Sequence, residues 1–362
     1  MPRRKAVVAM SGGVDSSVAA ALLVEQGYDV TGVMLKLWKG EAANTGSGCC
    51  NLGAAEDARR VADALSIPFY VLNFADFFEA TVRRDFHEQY LAGRTPNPCV
   101  RCNHWVKFDA LLDKAAALGA DLLATGHYAR VDYHGGRYRL RRGVDPSKDQ
   151  SYVLWMLGQR QLARCAFPVG SQEKSATRAL AAELGLRTAR KPDSQEICFV
   201  RDGDFDAYVG ESMPAAAAPG PILDLDGAVV GTHRGIGRYT IGQRKGLGVA
   251  LGRPVFVTSI DARANALTVG GRDDLLVSEL RLDEVGFVHD APPDGTRVLV
   301  QYRAHGDAFP AIVDGSTIRF DEPVEAAAPG QSAALYSADD PAEVLGGGVI
   351  ASSVSLAASR SG

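Results

Sequence analysis

Three cysteines offer this chain its most reactive side chains. Cys99 and Cys102 form a C-x-x-C pair inside "TPNPCVRCN" (residues 95–103), and Cys198 lies in the polar stretch "KPDSQEICFVRDGDF". A C-x-x-C pair fits half of a zinc site, a thioredoxin-like redox pair, or a loop in which one thiol reacts. Zinc needs further ligands, and the sequence has no second C-x-x-C, no C-x-x-H and no H-x3-H. A redox pair needs its own fold around it. The third reading needs a second thiol, and Cys198 sits among polar residues where an inert cysteine would sit among aliphatics. Arg101 and Lys107 flank Cys102 at the entry to a helical stretch, and cations and helix N-termini favour thiolates.

A second chemical feature gives those thiols something to act on. "MSGGVDSS" (residues 10–17) joins a short buried strand to a helical pattern. Gly12 and Gly13 let the backbone approach an anion, and the amides that open the helix point toward it. The Ser11, Ser16 and Ser17 hydroxyls can add donors, while Asp15 orients the loop or meets a metal ion. The loop lacks both Gly-Lys-[Ser/Thr] and G-x-G-x-x-G, which excludes the two commonest phosphate-binding signatures. S-G-G-x-D-S instead resembles the loop of the pyrophosphatase-loop ATP enzymes, which cleave ATP between its α and β phosphates and adenylate a substrate oxygen. AMP on a carbonyl oxygen is a good leaving group for sulfur, and a cysteine persulfide with a second thiol suffices to deliver it. The two thiols need only meet in space.

Positioning falls to an alternating pattern. Strand signals "KAVVAM", "DVTGVMLKLW", "FYVLNF" and "DLLATG" alternate with helical ones through the first 200 residues. Among the helices, "VDSSVAAALLVEQG" stops at Gly27, and "DFFEATVRRDFHEQYLAG" is expected to begin at a capping Asp76. Such alternation predicts a parallel sheet with helices on both faces. "YARVDYHGGRYRLRRG" predicts a hairpin turning at Gly135-Gly136. From about residue 201 the helical pattern fades, "MPAAAAPGP" reads as turns, and short segments broken by Gly and Pro predict β structure, ending in a barrel. Domains are expected at 1–200, 201–270 and 271–362, with the last boundary at Gly270-Gly271.

Bulk properties narrow the class. The 362 residues exceed a single core, and 46% hydrophobic with 23% charged content excludes disorder. No apolar run approaches the ~20 residues of a membrane span, and the apolar run after "MPRRK" is too short for a signal peptide, so a cytoplasmic enzyme is expected. Six cysteines in so long a chain do not make a disulfide scaffold; Cys49, Cys50, Cys165 and Cys99 are read as non-essential by default. Net charge is only −4, yet residues 130–148 hold six Arg/Lys against two Asp, and residues 231–253 hold five Arg/Lys and no acid. Residues 314–345 hold seven acids and one Arg, so a basic face for a polyanion is expected, with the acidic segment turned away.

Six motifs occur in order: "AMSGGVDSS", "GRTPNPCVRCN", "ATGHYAR", "KDQSYVL", "SQEICF" and "YTIGQRKGLG". Together they resemble the tRNA-specific 2-thiouridylases (tRNA-uridine 2-sulfurtransferases) over nearly the whole chain, most weakly after residue 270. The resemblance implies an α/β fold: an N-terminal parallel-sheet pyrophosphatase-loop (adenine nucleotide alpha hydrolase-like) domain, a small central β-rich domain and a C-terminal β-barrel. It implies ATP with Mg²⁺, a tRNA substrate, a persulfide sulfur donor such as a cysteine desulfurase or sulfur-relay protein, and no membrane. Ala9, Met10, Ser11, Gly12, Gly13, Val14, Asp15 and Ser16 would hold ATP phosphates, and Leu35 and Gly126 would frame the adenosine. Asn97, Pro98 and Cys99 would contact the target base, where Cys99 replaces an Asp of some members. Cys102 would be the nucleophile and Cys198 the persulfide carrier, with a transient Cys102–Cys198 disulfide. Lys148, Asp149, Gln150, Gln301 and Tyr302 would touch tRNA, the last pair standing where relatives have Arg-Tyr. Three alternatives remain open at this level. Cys99, Cys102 and Cys198 could ligate an iron–sulfur cluster, the loop could serve a metabolite ligase, or the chain could be a nucleotide-regulated RNA-binding module without turnover.

Overall fold

The structure is a computed structural model and describes residues 3–38, 52–193, 197–200, 203–325 and 327–356. Cys49, Cys50 and positions 194–196 of the "SQEICF" motif lie outside the described residues. Strands β1 (Lys5–Ala9), β2 (Asp29–Lys36), β3 (Phe69–Asn73) and β4 (Leu122–Ala124) are followed by β5 (Ala129–His134), β6 (Arg137–Arg142) and the short β7 (Cys165–Ala166). Of these, β1 to β4 and β7 form one parallel sheet in the order β3-β2-β1-β4-β7. Period-two alternation sorts the β1 side chains to two apolar layers. Ala6, Val8 and Met10 pack with Val14, Val18 and Leu23 of helix α1 (Val14–Glu25), while Val7 packs with Phe78, Cys102, Val106 and Phe108. The expected two-faced parallel sheet is therefore present. Its strand order changes direction between β1 and β4, and ligands of such sheets bind beyond the carboxyl ends at that point.

Local signals place some ends and miss others. Gly27, at φ 83, takes the left-handed conformation just past α1. The helical run from Ala75 is not capped by Asp76: Phe74 is its first flanking residue, and Asn73 Oδ1 accepts from the Ala75 amide at 3.1 Å. Within that run Glu79–Arg83 is π-helical. The fading of helix after residue 201 also needs correction. Phe205–Ser212 is a helix, and Asp204 caps it by accepting from the Ala207 amide.

A central sheet, β8 (Gly220–Leu223), β9 (Val229–His233), β10 (Phe256–Asp261) and β11 (Ala266–Gly270), has the order β10-β11-β8-β9. The C-terminal strands are β12 (Leu276–Phe287), β13 (Thr296–Gln301), β14 (Phe309–Asp314), β15 (Thr317–Glu325), β16 (Ser332–Ser337) and β17 (Glu343–Ser355). They pair antiparallel in the order β12-β15-β14-β13-β16-β17, and β12–β17 pairing closes a six-stranded barrel. Closure leaves no open edge among these strands.

The β5–β6 hairpin turns at Gly135-Gly136 as expected but joins the barrel, with Arg141 opposite Glu343 and Leu140 opposite Val344. Its charges are consumed there. Arg141 donates to both Asp340 oxygens at 2.7 and 3.1 Å, Arg139 to Asp132 at 2.7 Å, and Arg142 to Asp149 at 2.7 Å. Asp340 and Glu343 of the acidic C-terminal segment thus face the basic hairpin instead of turning away, while Asp314, Asp321 and Glu325 pair with Arg319, Arg297 and Arg272 of the barrel region, so part of the segregated charge closes an internal interface.

Candidate functional site

The nucleotide loop is braced largely by its own residues. Ser11 N donates to Ser16 Oγ at 3.1 Å, and the Ser16 and Ser17 hydroxyls donate to Gly13 O at 3.2 and 2.8 Å. Ser17 is fully buried and is spent on that brace, which removes it as a phosphate donor; Ser11 is the exposed hydroxyl. Met10 and Val14 are buried beneath the loop and Ala9 is half-buried, so their side chains serve the core. Gly13 opens α1 without a side-chain cap, leaving the first amides of the helix facing the crevice. A Cβ on Gly12 (φ +71) would stand 2.3 Å from Ala54 O, and one on Gly126 would stand 2.6 Å from Ser16 N. Glycine at both positions lets the backbone of Ala54 and Ser16 pack against its neighbours, and the uncapped amides that open α1 suit the phosphates of a nucleoside triphosphate.

Beside this loop lies an ionic network that the sequence reading missed. The Asp15 carboxylate accepts from Lys174 Nζ at 2.7 and 2.8 Å and from Tyr128 OH at 2.9 Å. Lys174 also meets Asp193 at 2.9 Å, which in turn binds Lys148 and Arg178, each at 2.8 Å. Burial works against the Asp193 charge, but hydrogen bonds from Lys148 and Lys174 outweigh it and hold the group down to about 2. Lys191 donates to Gly12 O at 3.0 Å and to Asp57 at 2.9 Å. Asp15 is thus tied to Lys174 and Tyr128, and Lys148, expected on tRNA, pairs with Asp193. A single clue was available: Lys191 and Asp193 belong to the same polar stretch as Cys198.

Leu35 stands where an adenine edge could be read. β1 pairs with β2 up to Ala9 opposite Val33, and Met10 N donates to Val33 O at 2.7 Å. Leu35 shares the parity of Val33, so its N–H and C=O turn toward the space past the end of β1, while Lys36 O is taken by Phe74 N on the β3 side.

The cysteine pair is helical, not a loop before a helix. Asn97 caps a turn at Pro98–Arg101, accepting from Cys99 N at 3.1 Å and Val100 N at 3.4 Å, and the helix continues through a π-helical stretch, Cys102–Leu111. π-Turns are rare and concentrate at functional sites. Cys99 is exposed and Cys102 is buried, three residues apart and so on one side of the helix. Asn97 and buried Pro98, expected at the target base, set this entry. The expectation that Arg101 activates Cys102 is corrected: its guanidinium is bound by Asp85 at 3.2 Å and by Glu284 at 2.5 and 2.7 Å. Lys107 Nζ donates to Asn103 Oδ1 at 2.9 Å.

Cys198 is half-buried, and the neighbouring Phe199 anchors its turn. The Phe199 ring lies 5.0 Å from Phe86, 5.9 Å from Phe78 and 6.3 Å from Trp38. Phe199, next to Cys198, packs against the same apolar cluster that contains Cys102, Leu35 and Leu37, although the two cysteines are 96 positions apart in sequence. Among the described residues no group of three His, Cys, Asp or Glu side chains is gathered to hold a metal, so Cys99, Cys102 and Cys198 do not form a ready-made cluster ligand set.

Several expected RNA contacts are committed elsewhere. The Asp149 side chain, 7% exposed, accepts from Gly143 N, Ser151 N, Ser151 Oγ and Arg142. Gln301 is buried between Arg142 and the carbonyls of Arg303 and Ala304, and Tyr302 is buried in the barrel core against Phe309 and Phe320. These three side chains brace the fold instead of presenting a surface. Gln150 is exposed, although its Oε1 accepts from Tyr128 N. His127 is a structural histidine, buried with Nδ1 2.7 Å from Thr125 Oγ1.

Family models match three consecutive parts of the chain. They describe a tRNA methyl transferase HUP domain (residues 4–202), a tRNA methyl transferase PRC-barrel domain (207–271) and an aminomethyltransferase beta-barrel domain (277–350). The tRNA-specific 2-thiouridylase MnmA of Heliobacterium modesticaldum is 48% identical, the match covering 97% of this chain and 93% of that protein. Its counterparts from Moorella thermoacetica and Carboxydothermus hydrogenoformans are 49% and 47% identical, each over 96% of this chain and 99% and 98% of their own lengths. Identity of this order from end to end, on a parallel-sheet domain with a glycine loop, a central β domain and a closed barrel, makes the chain a member of the tRNA-specific 2-thiouridylase MnmA family.

Proposed function

We propose that the chain places sulfur on C2 of the wobble uridine of tRNA at the expense of ATP. The observation that carries this reading is that Phe199, next to Cys198, packs against the apolar cluster that contains Cys102 and the β2 residues Val33 and Leu35. The Gly12–Gly13 loop would hold the ATP phosphates and the β2 edge at Leu35 would meet its base, while Mg²⁺ would supply charge neutralisation of the phosphates. The uridine leaves the anticodon stack to reach the site, and its C2 oxygen takes AMP from ATP with release of pyrophosphate. A donor protein loads Cys198 as a persulfide. The terminal sulfur attacks C2 and AMP leaves. Cys102, as thiolate, then attacks the Cys198 sulfur; the S–S bond to the RNA breaks and its electron pair stays on the new 2-thio group. A Cys102–Cys198 disulfide remains, and a cellular thiol reductant restores it by two electrons. The reaction belongs to the cytoplasm, and no helix among the described residues is long and apolar enough to cross a membrane.

Mass spectrometry of tRNA nucleosides tests this reading, after incubation with ATP, a cysteine desulfurase and cysteine. 2-Thiouridine at the wobble position is expected, and Cys102→Ser and Cys198→Ser should each abolish it while ATP and tRNA still bind. Thiolation surviving in either variant removes that thiol from the mechanism. Pyrophosphate release without tRNA, undiminished in Cys198→Ala, would point instead to a metabolite ligase.

A further inference from the structure

The segment that delivers both cysteines is held from outside its own sheet. Thr95 N donates to Pro329 O at 2.7 Å, Gln331 Nε2 to Thr95 O at 2.8 Å, and Arg94 Nη2 to Ile350 O at 3.2 Å. Gly330, at φ +92, lies so close that an added Cβ would stand 3.0 Å from the Thr95 backbone. Between the two cysteines, Arg101 is 7% exposed and carries three hydrogen bonds to carboxylates of two domains, Glu284 on β12 and Asp85 on the helical run from Ala75. Its guanidinium also lies 4.8 Å from the centre of the Trp105 ring.

Glu284 is unusual in its own right. It holds φ 51, left-handed for a non-glycine residue, where β12 slips register against β17 between Asp283 and Gly286. Such a conformation is strained and persists where surroundings over-determine it, commonly at functional sites. Here the slip aims a carboxylate at Arg101 in the two-pronged geometry that fixes a guanidinium in orientation as well as distance. Hydrogen bonds from Arg101 hold Glu284 below the usual carboxylate range, so it is the ionised partner. Burial dominates at Asp85 and raises it.

We propose that Glu284 is a positioning residue for sulfur transfer: acting through Arg101, it sets the rotation and depth of the helix that carries Cys99 and Cys102. The barrel then tunes thiol geometry as well as completing the fold. This rests on the reading of Cys102 as the reacting thiol.

Two variants of the full chain test it. Glu284→Gln keeps the side chain and removes its charge, while Glu284→Gly removes the carboxylate and relieves the left-handed backbone. Expected in both is a fall of about tenfold or more in kcat for thiolation, with KM for ATP and tRNA changed less than about twofold. The iodoacetamide rate at Cys102, resolved from exposed Cys99 by peptide mass spectrometry, should change about threefold or more. The Tm of Glu284→Gly should stay near that of the parent, because relief of strain offsets the lost ion pair. A purely structural clamp would lower Tm and leave kcat per folded molecule unaltered, which overturns the proposal. Raised KM with unchanged kcat also overturns it and moves the effect to binding. Cys102→Ser serves as control: if it still thiolates, the underlying reading fails; if it is dead while both Glu284 variants turn over normally, only the positioning role fails.

Discussion

The nucleotide loop and the cysteine helix are built on opposite plans. The loop makes its innermost hydrogen bonds over three to five residues, Ser11 to Ser16 and Ser16 and Ser17 to Gly13, with Lys191 and Lys174 reaching it across 179 and 159 positions. The cysteine helix takes its decisive contacts from far away, Arg101 to Glu284 across 183 positions and Thr95 to Gln331 across 236. A phosphate cradle must be rigid and can be made locally, because backbone amides and glycines suffice. Two thiols that must meet each other and a splayed-out base need several elements, and each one adds a point at which partner binding can adjust the geometry. On this account the first region stores recognition in local sequence and the second stores reactivity in tertiary structure.

The contrast can be broken first at Lys174, where the local plan fails. Lys174 is 8% exposed and joins Asp15 to Asp193. Lys174→Met would leave two partly buried carboxylates facing each other, with Lys148 and Arg178 still on Asp193, a loss of about 2–3 kcal/mol. Denaturant unfolding and ATP titration should show lower stability together with weaker ATP binding, and unchanged ATP affinity would exclude the network from the nucleotide site. A smaller effect is expected at the entry to the cysteine helix. Asn97→Ala deletes the cap accepting from Cys99 N and Val100 N and should cost about 1 kcal/mol. Its urea midpoint should shift accordingly, and a thiolation rate that falls further than the folded fraction would sharpen the case for positional control of the thiols.

A further effect concerns acid. Burial pushes His127 well below 6.5, with the Lys107 charge adding to the shift, so the folded chain refuses a proton that the unfolded chain accepts near 6.5. Stability should therefore hold above that pH and fall as pH drops through it, by up to ~1.4 kcal/mol per pH unit from this group. Unfolding midpoints at pH 7.5, 6.5 and 5.5 measure the slope, and His127→Gln should flatten it; an unaltered slope would assign the loss to other groups.

How far the sequence could be read follows from the same contrast. Periodicity and glycine spacing gave the sheet, the loop, the Gly135-Gly136 hairpin and the barrel, because each of these is specified over short stretches. What stayed hidden was where the hairpin docks: its arginines look RNA-facing until Asp340 and Glu343 arrive opposite them from the far end of the chain. Tyr302 and Gln301 sit in a strand end whose inward direction depends on barrel closure, so a motif position could not reveal their burial. Lys174 carries no periodic or motif signal, and nothing in "LRLDEVGF" announces that Glu284 will turn left-handed. The helix at Phe205–Ser212 carries one sequence signal, the cap at Asp204, and it lies in the region where the helical pattern fades.

The central claim is that Cys102 and Cys198 act on the same sulfur. A single turnover with stoichiometric persulfide donor, ATP and tRNA, run without reductant and quenched in acid with an alkylating agent, tests it by peptide mass spectrometry. The account predicts one Cys102–Cys198 cross-linked peptide pair for each 2-thiouridine formed. Full thiolation with both cysteines recovered as alkylated thiols would contradict it.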